Sequence, residues 1–192
     1  MLAEHKMNLS PISLDRAEGE AKDILEKARA QVGFIPKMYE GMVNSPGLLQ
    51  TYLDGYATFR GKSGFSTVEQ EVIFLTISKV NGCSYCMAAH SFLADKASKV
   101  PTPVTDAIRD GNPIDDPKLA ALSAFTTTMV VDRGLPSKAD VQAFVAAGYS
   151  ERSILEIILA ISVKTISNYS NHLFHTDVDE VFAGRVWDDG AD

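Results

Sequence analysis

The chain's two cysteines stand close together, at Cys83 and Cys86, and His90 completes a C-x2-C-x3-H run. Spacings of three and four put all three side chains on one face of a helix. A thiol at a helix start meets unpaired backbone N–H groups and the positive end of the helix dipole, which favour its thiolate. A second thiol three residues away can condense with a sulfenic acid on the first and close a disulfide. An imidazole one turn below can take or relay the proton. Leu93 and Ala97 continue that face, so it is expected to point inward, with the cysteines near its solvent-accessible end.

Glu71 is the fourth candidate, twelve positions before Cys83 on the preceding helix. If the two helices fold back antiparallel around Gly82, Glu71 lies roughly 16 Å down one and His90 roughly 10 Å down the other. Side chains, or one bridging water, could close that gap. A carboxylate inside Glu71-Val72-Ile73-Phe74-Leu75 is costly unless paired, and His90 is the natural partner. Taken singly, each residue has a structural reading: Glu69 and Glu71 as acids favoured near a helix start, Tyr85 as a packing residue, the cysteines as buried hydrophobes. Their joint spacing is what points to chemistry.

The elements around these residues read as helices throughout. Asp15 to Ala30 is rich in helix formers and is closed by Gly33 and Pro36; Ser45-Pro46-Gly47 turns the chain into Leu48 to Phe59. Arg60 to Phe65, with Gly61 and Gly64, reads as a loop. Ser66 with Glu69 forms a capping box ahead of Val72-Ile73-Phe74-Leu75, and Asn81-Gly82 closes that helix. The next should run from near Cys83 towards Lys99, before Pro101 and Pro103. Asp116-Pro117 opens a helix to Asp132, Ser137 with Asp140 opens another to about Gly148, and Ser150 opens an apolar one through Ile166. The tail from Asp188 to Asp192 is acidic and expected to fray. Without sustained period-two alternation, the fold class is all-α. Leu75 to Cys86 aligns with Leu159 to Ser170 at a constant offset of 84, with serines opposite both cysteines. This pattern suggests an internal duplication in which only the first copy carries thiols. In both copies the apolar helix should be central and buried.

A chain of 192 residues with 45% hydrophobic content suits one globular domain without disulfide staples. A net charge of −7 argues against nucleic acid or an anionic membrane as main partner. No signal or transmembrane segment is visible, so the cytoplasm is the expected compartment, where a C-x-x-C pair is redox-active or metal-binding more often than structural. A thioredoxin-like frame fails for want of a strand before the cysteines. Cys83, Cys86 and His90, with Glu71 as a fourth ligand, would make a zinc site, and His172 with His175 a metal edge, but no second Cys/His pair lies near by in sequence.

The pattern Glu71-x11-Cys83-x2-Cys86-x3-His90 resembles the AhpD-like alkylhydroperoxidase motif of the carboxymuconolactone decarboxylase superfamily. Gly33-Phe34-Ile35-Pro36-Lys37-Met38, with Ser45-Pro46 and Leu49, is similar to the N-terminal segment of its two-repeat peroxidase-related members. Asn168-Tyr169-Ser170-Asn171-His172 is similar to their C-terminal element, so the resemblance runs from about Gly33 to Asp179. It implies an all-helical fold, a homo-oligomer (trimer or hexamer), and reduction of organic hydroperoxides at the expense of an unidentified thiol or dithiol reductant. No cofactor is expected. By the same resemblance Cys86 is the peroxidatic thiol, Cys83 the proton donor and resolving thiol, and Glu71 with His90 the proton relay. Tyr85 departs from the histidine that AhpD proteins carry between the cysteines, which bears on how the thiol is activated. The expected organisation is a single AhpD-like domain over residues 1–192, with a first half at 14–110 and a degenerate, thiol-free second half at 111–192. Alternatives are a lactone decarboxylase, whose members generally lack the cysteine pair, and a redox-sensing or scaffold oligomer that oxidises without turnover.

Overall fold

A computed structural model describes residues 2–188. Among them are nine α-helices and no strand: α1 (Gly19–Val32), α2 (Lys37–Met42), α3 (Pro46–Lys62), α4 (Thr67–Val80), α5 (Ser84–Leu93), α6 (Thr102–Asp110), α7 (Pro117–Val131), α8 (Lys138–Ala146) and α9 (Glu151–Phe174). A π-turn (Ala94–Ser98) follows α5 and a 3-10 segment (Glu180–Arg185) follows α9. The all-α expectation holds. The tail residues 189–192, expected to fray, lie outside the described residues.

α4 is the axis of the molecule. Its N-terminus is fixed by the capping box that Ser66 and Glu69 form, and every residue from Gln70 to Ser78 is buried. Helices α5, α6, α7 and α9 surround it. One apolar cluster joins Phe74 of α4 to Phe125, Phe144 and Tyr149 beyond it; a second gathers Leu25, Met42, Leu49 and Tyr52 around Cys83 and Cys86. Tyr56 and Leu159 pack against both clusters and join them, and the thiols belong to the second.

Between α4 and α5 the chain reverses in three residues, Asn81, Gly82 and Cys83. Gly82 takes a φ of 65°, and the Cys83 N–H reaches back to the Ser78 carbonyl at 2.9 Å, satisfying the end of α4 as α5 begins. Eighty-four residues on from Asn81 and Gly82 stand Thr165 and Ile166, and α9 runs straight on to Phe174 instead of ending near Ile166. It stops where His175 turns left-handed. Ser150, at the offset of 84 from Ser66, caps α9 with a capping box of its own.

Several boundaries differ from the sequence expectation. α3 continues through Arg60 to Lys62, because glycine alone does not end a helix whose neighbours pack it. α2, α6 and the 3-10 segment carry too short a pattern to be read from periodicity. The π-turn after α5 rotates the helix phase, so Ala97 faces solvent instead of extending the inward face. α9 is not buried all round: Ile157, Ala160, Lys164, Ser167 and Asn171 face inward, whereas Leu155, Ile158, Tyr169 and Leu173 form an exposed stripe opposite. Among the described residues, no helix is long and apolar enough to cross a membrane.

Candidate active site

Cys83 is the N-cap of α5 and Cys86 its third residue, so both sulfurs lie over the first turn, where backbone N–H groups are unpaired by the helix itself. Both are free thiols. Their exposure is 1% and 2%, so the expectation that they sit near a solvent-accessible end is wrong. α9 covers them. From its inward face, Asn171 Nδ2 donates to Cys86 Sγ at 3.4 Å and stands 3.8 Å from Cys83 Sγ, while Cys86 Sγ lies 3.9 Å from Ser167 Oγ. Asn168 anchors the same face by accepting from Asn81 Nδ2 at 2.9 Å, next to the turn that presents the thiols.

One turn below Cys86, His90 Nδ1 meets Glu71 Oε2 directly at 2.9 Å, the partnership that the sequence spacing anticipates. The other carboxylate oxygen receives Arg60 Nη2 at 2.6 Å and the Ser98 hydroxyl at 3.2 Å. Arg60 is itself held by the Tyr56 hydroxyl and by Gln70 Oε1, with its guanidinium 4.8 Å from the Phe74 ring centroid. The order from outside inwards is thus Arg60, Glu71, His90, thiols.

Electrostatics follow from these contacts. Burial pushes the Glu71 carboxyl up, but His90 and Arg60 outweigh it and hold the group below the usual carboxylate range. Burial, joined by the charge of Lys164, pushes His90 below the histidine range despite Glu71. His90 is therefore neutral at neutral pH, and Arg60 is the cation that keeps Glu71 ionised. The thiols are split. Burial and hydrogen bonding to Cys86 drive Cys83 well up. Burial acts against the Cys86 thiolate too, yet the Cys83 hydrogen bond and the charge of Lys164 overcome it and take Cys86 well below the ordinary thiol range.

Tyr85 points away from the sulfurs. Its hydroxyl donates to Asp179 Oδ2 at 2.5 Å and its ring meets Phe182 edge-on, tying the 3-10 segment to α5. Glu69 serves its capping box and a 2.9 Å ion pair with Lys118. His175 Nε2 pairs with the Ala3 carbonyl at 2.7 Å. Among the described residues, no group of three or more His, Cys, Asp or Glu could hold a metal ion, so the four-ligand zinc set is not assembled. Glu71 has both oxygens committed to Arg60, Ser98 and His90. Sequence reasoning missed Arg60, which fell in a supposed loop, and Lys164. The signal for Lys164 was available: it shares a helical face with Asn168 and Asn171 inside an apolar run.

Residues 46–128, spanning α3 to the last turn of α7, match the carboxymuconolactone decarboxylase family. No curated protein matches the chain. Among solved structures, an uncharacterized peroxidase-related protein with an alkylhydroperoxidase AhpD core from Ralstonia eutropha superposes with a TM-score of 0.80 at 19% identity, over 97% of this chain and 100% of that one. A peroxidase-related protein from a Silicibacter species gives 0.75 at 19%, over 94% and 97%. The debrominase Bmp8, in complex with 2,3,4-tribromopyrrole, gives 0.76 at 17%, over 94% and 96%. The glutamate, both cysteines and the histidine all lie inside the segment that matches the carboxymuconolactone decarboxylase family, and the fold around them is the one the AhpD-core and peroxidase-related structures share.

Proposed function

We propose that the protein is a thiol-dependent peroxidase that reduces organic hydroperoxides through Cys86 and Cys83. The observation that carries this reading is geometric: two free thiols share the first turn of α5, Asn171 Nδ2 reaches Cys86 Sγ at 3.4 Å, and the Glu71–His90 pair stands one turn below. The Cys86 thiolate attacks the outer peroxide oxygen; the O–O bond breaks, sulfur is oxidised to the sulfenic acid and the alkoxide leaves. The alkoxide takes the proton of Cys83 and leaves as the alcohol, which makes Cys83 a thiolate; the Glu71–His90 pair relays from solvent the proton that the departing hydroxide later takes. With Nδ1 held by Glu71, Nε2 is the nitrogen that exchanges protons with the thiols. The Cys83 thiolate then displaces hydroxide from the sulfenic sulfur, water departs after protonation, and a disulfide remains. An external dithiol supplies the two electrons that restore both thiols.

The test separates the two sulfurs. Cys86→Ser should consume no peroxide, and Cys83→Ser should accumulate one sulfenic acid per chain, trapped by dimedone and read by mass spectrometry. Equal peroxide consumption by Cys86→Ser and wild type would sink the assignment. A brominated pyrrole, the ligand of one fold neighbour, is the control electrophile. Its turnover in preference to a hydroperoxide would reassign the reaction while keeping the thiols.

The burial of both sulfurs favours a second reading, a redox sensor oxidised once and slowly. Repeated turnover with a dithiol discriminates the two. We extend the proposal to a homo-oligomer, a trimer or hexamer as the resemblance implies; the exposed apolar stripe of α9 supports it.

A further inference from the structure

Lys164 is 0% exposed, in the middle of α9, and its Nζ has no hydrogen-bond partner. Among the described residues no carboxylate lies in ion-pair range of it, and its Nζ stands 5.6 Å from the Phe74 ring centroid. An ammonium taken out of water without a counter-charge is among the costliest groups a core can hold. Some anion must answer it. Glu71 is already answered by Arg60 at 2.6 Å. The inward stripe of α9 identifies the remaining candidate, because Ser167, one turn after Lys164, and Asn171, one turn further, both reach Cys86 Sγ.

We propose that Lys164 is the fixed cation that holds the Cys86 sulfur as a thiolate: a positioning residue that acts through Cys86 and does not touch the peroxide. It takes the place that a protonated histidine fills in many activated thiol sites. Here His90 cannot fill that place at neutral pH, since burial and Lys164 itself keep it neutral.

The groups that face Cys86 come from every element packed on it. Tyr39 of α2 and Tyr52 and Tyr56 of α3 are buried phenols pushed upward, so they stay neutral throughout the range in which Cys86 titrates. Glu71 of α4 acts from behind His90 and is balanced by Arg60. Cys83, Tyr85 and His90 belong to α5 and its cap: two are driven upward and the third is neutral. His172 of α9 is pushed down by burial. Lys164 is the cation left to set the Cys86 charge.

The inference uses the peroxidase reading only for which sulfur attacks, and its test needs no peroxide. In a Cys83→Ser background, the ultraviolet absorbance of the Cys86 thiolate is followed against pH, with the double serine variant as blank. Adding Lys164→Met should raise the ionisation midpoint by about one to three pH units. The melting temperature should hold or rise, because the methionine fills similar space without burying a charge. Should that variant fail to fold, Lys164→Gln removes the charge and keeps a polar end, with the same midpoint expected to rise. An unchanged midpoint in whichever variant folds overturns the proposal. A raised midpoint in a protein that never consumes hydroperoxide leaves Lys164 in place and removes the peroxidase reading instead.

Discussion

Glu71 stays ionised inside the core because three donors converge on it, from Arg60 Nη2, Ser98 Oγ and His90 Nδ1. Glu71→Gln keeps the shape and removes the charge, leaving Arg60 unanswered; it should cost on the order of 3 kcal/mol by chemical denaturation. The pH dependence follows with a definite sign. Glu71 is held below its unfolded value, so its stabilisation is present above about pH 4.3 and is lost as the pH falls through the folded value. His90 is also depressed: its contribution is full above about pH 6.5 and is lost as acid protonates the unfolded imidazole more readily than the folded one. Wild type should therefore lose stability in two windows on acidification. Glu71→Gln should keep only the upper one. The Glu71–His90 contact was legible in the spacing because two antiparallel helices joined by a three-residue turn have a fixed register. Arg60 was not, because its role depends on α3 continuing past a residue pair that locally favours a loop.

At the scale of elements, α5 presents the thiols and α9 closes over them. Asn171→Leu removes the donor shared by both sulfurs, and should slow peroxide consumption roughly ten- to hundredfold, with little change in secondary structure by circular dichroism. The closure requires α3 and α9 to approach tightly at Gly55, where a Cβ would stand 2.9 Å from Val163 Cγ2. Gly55→Ala should thus cost about 1–3 kcal/mol and loosen the cover, which thermal unfolding and faster alkylation of Cys86 would report. The sequence stated where four of the helices begin, since Ser66, Asp116, Ser137 and Ser150 cap them chemically. It did not state where α9 ends, because no glycine or proline interrupts Ile166 to Phe174. The burial of the cysteines was hidden for the same reason: the extra turns of α9 are what cover them.

For the whole molecule, the two capping boxes at an offset of 84 accord with the duplication the sequence suggests, and α9 forms a lid over the thiols. Leu155 at 66% exposure and Tyr169 at 55% lie on the outer side of that lid. If the chain assembles as proposed, sedimentation velocity should find a trimer or hexamer, and Leu155→Glu with Tyr169→Glu should shift it to smaller species. A wild-type monomer at working concentration would contradict the assembly. The central claim is catalytic, and its most direct test is rapid mixing of the reduced, metal-free protein with an alkyl hydroperoxide. Peroxide and free thiols are followed together, with and without excess dithiothreitol. The account predicts loss of both thiols per chain without dithiol and many turnovers with it. Unchanged peroxide with both thiols still free would contradict it.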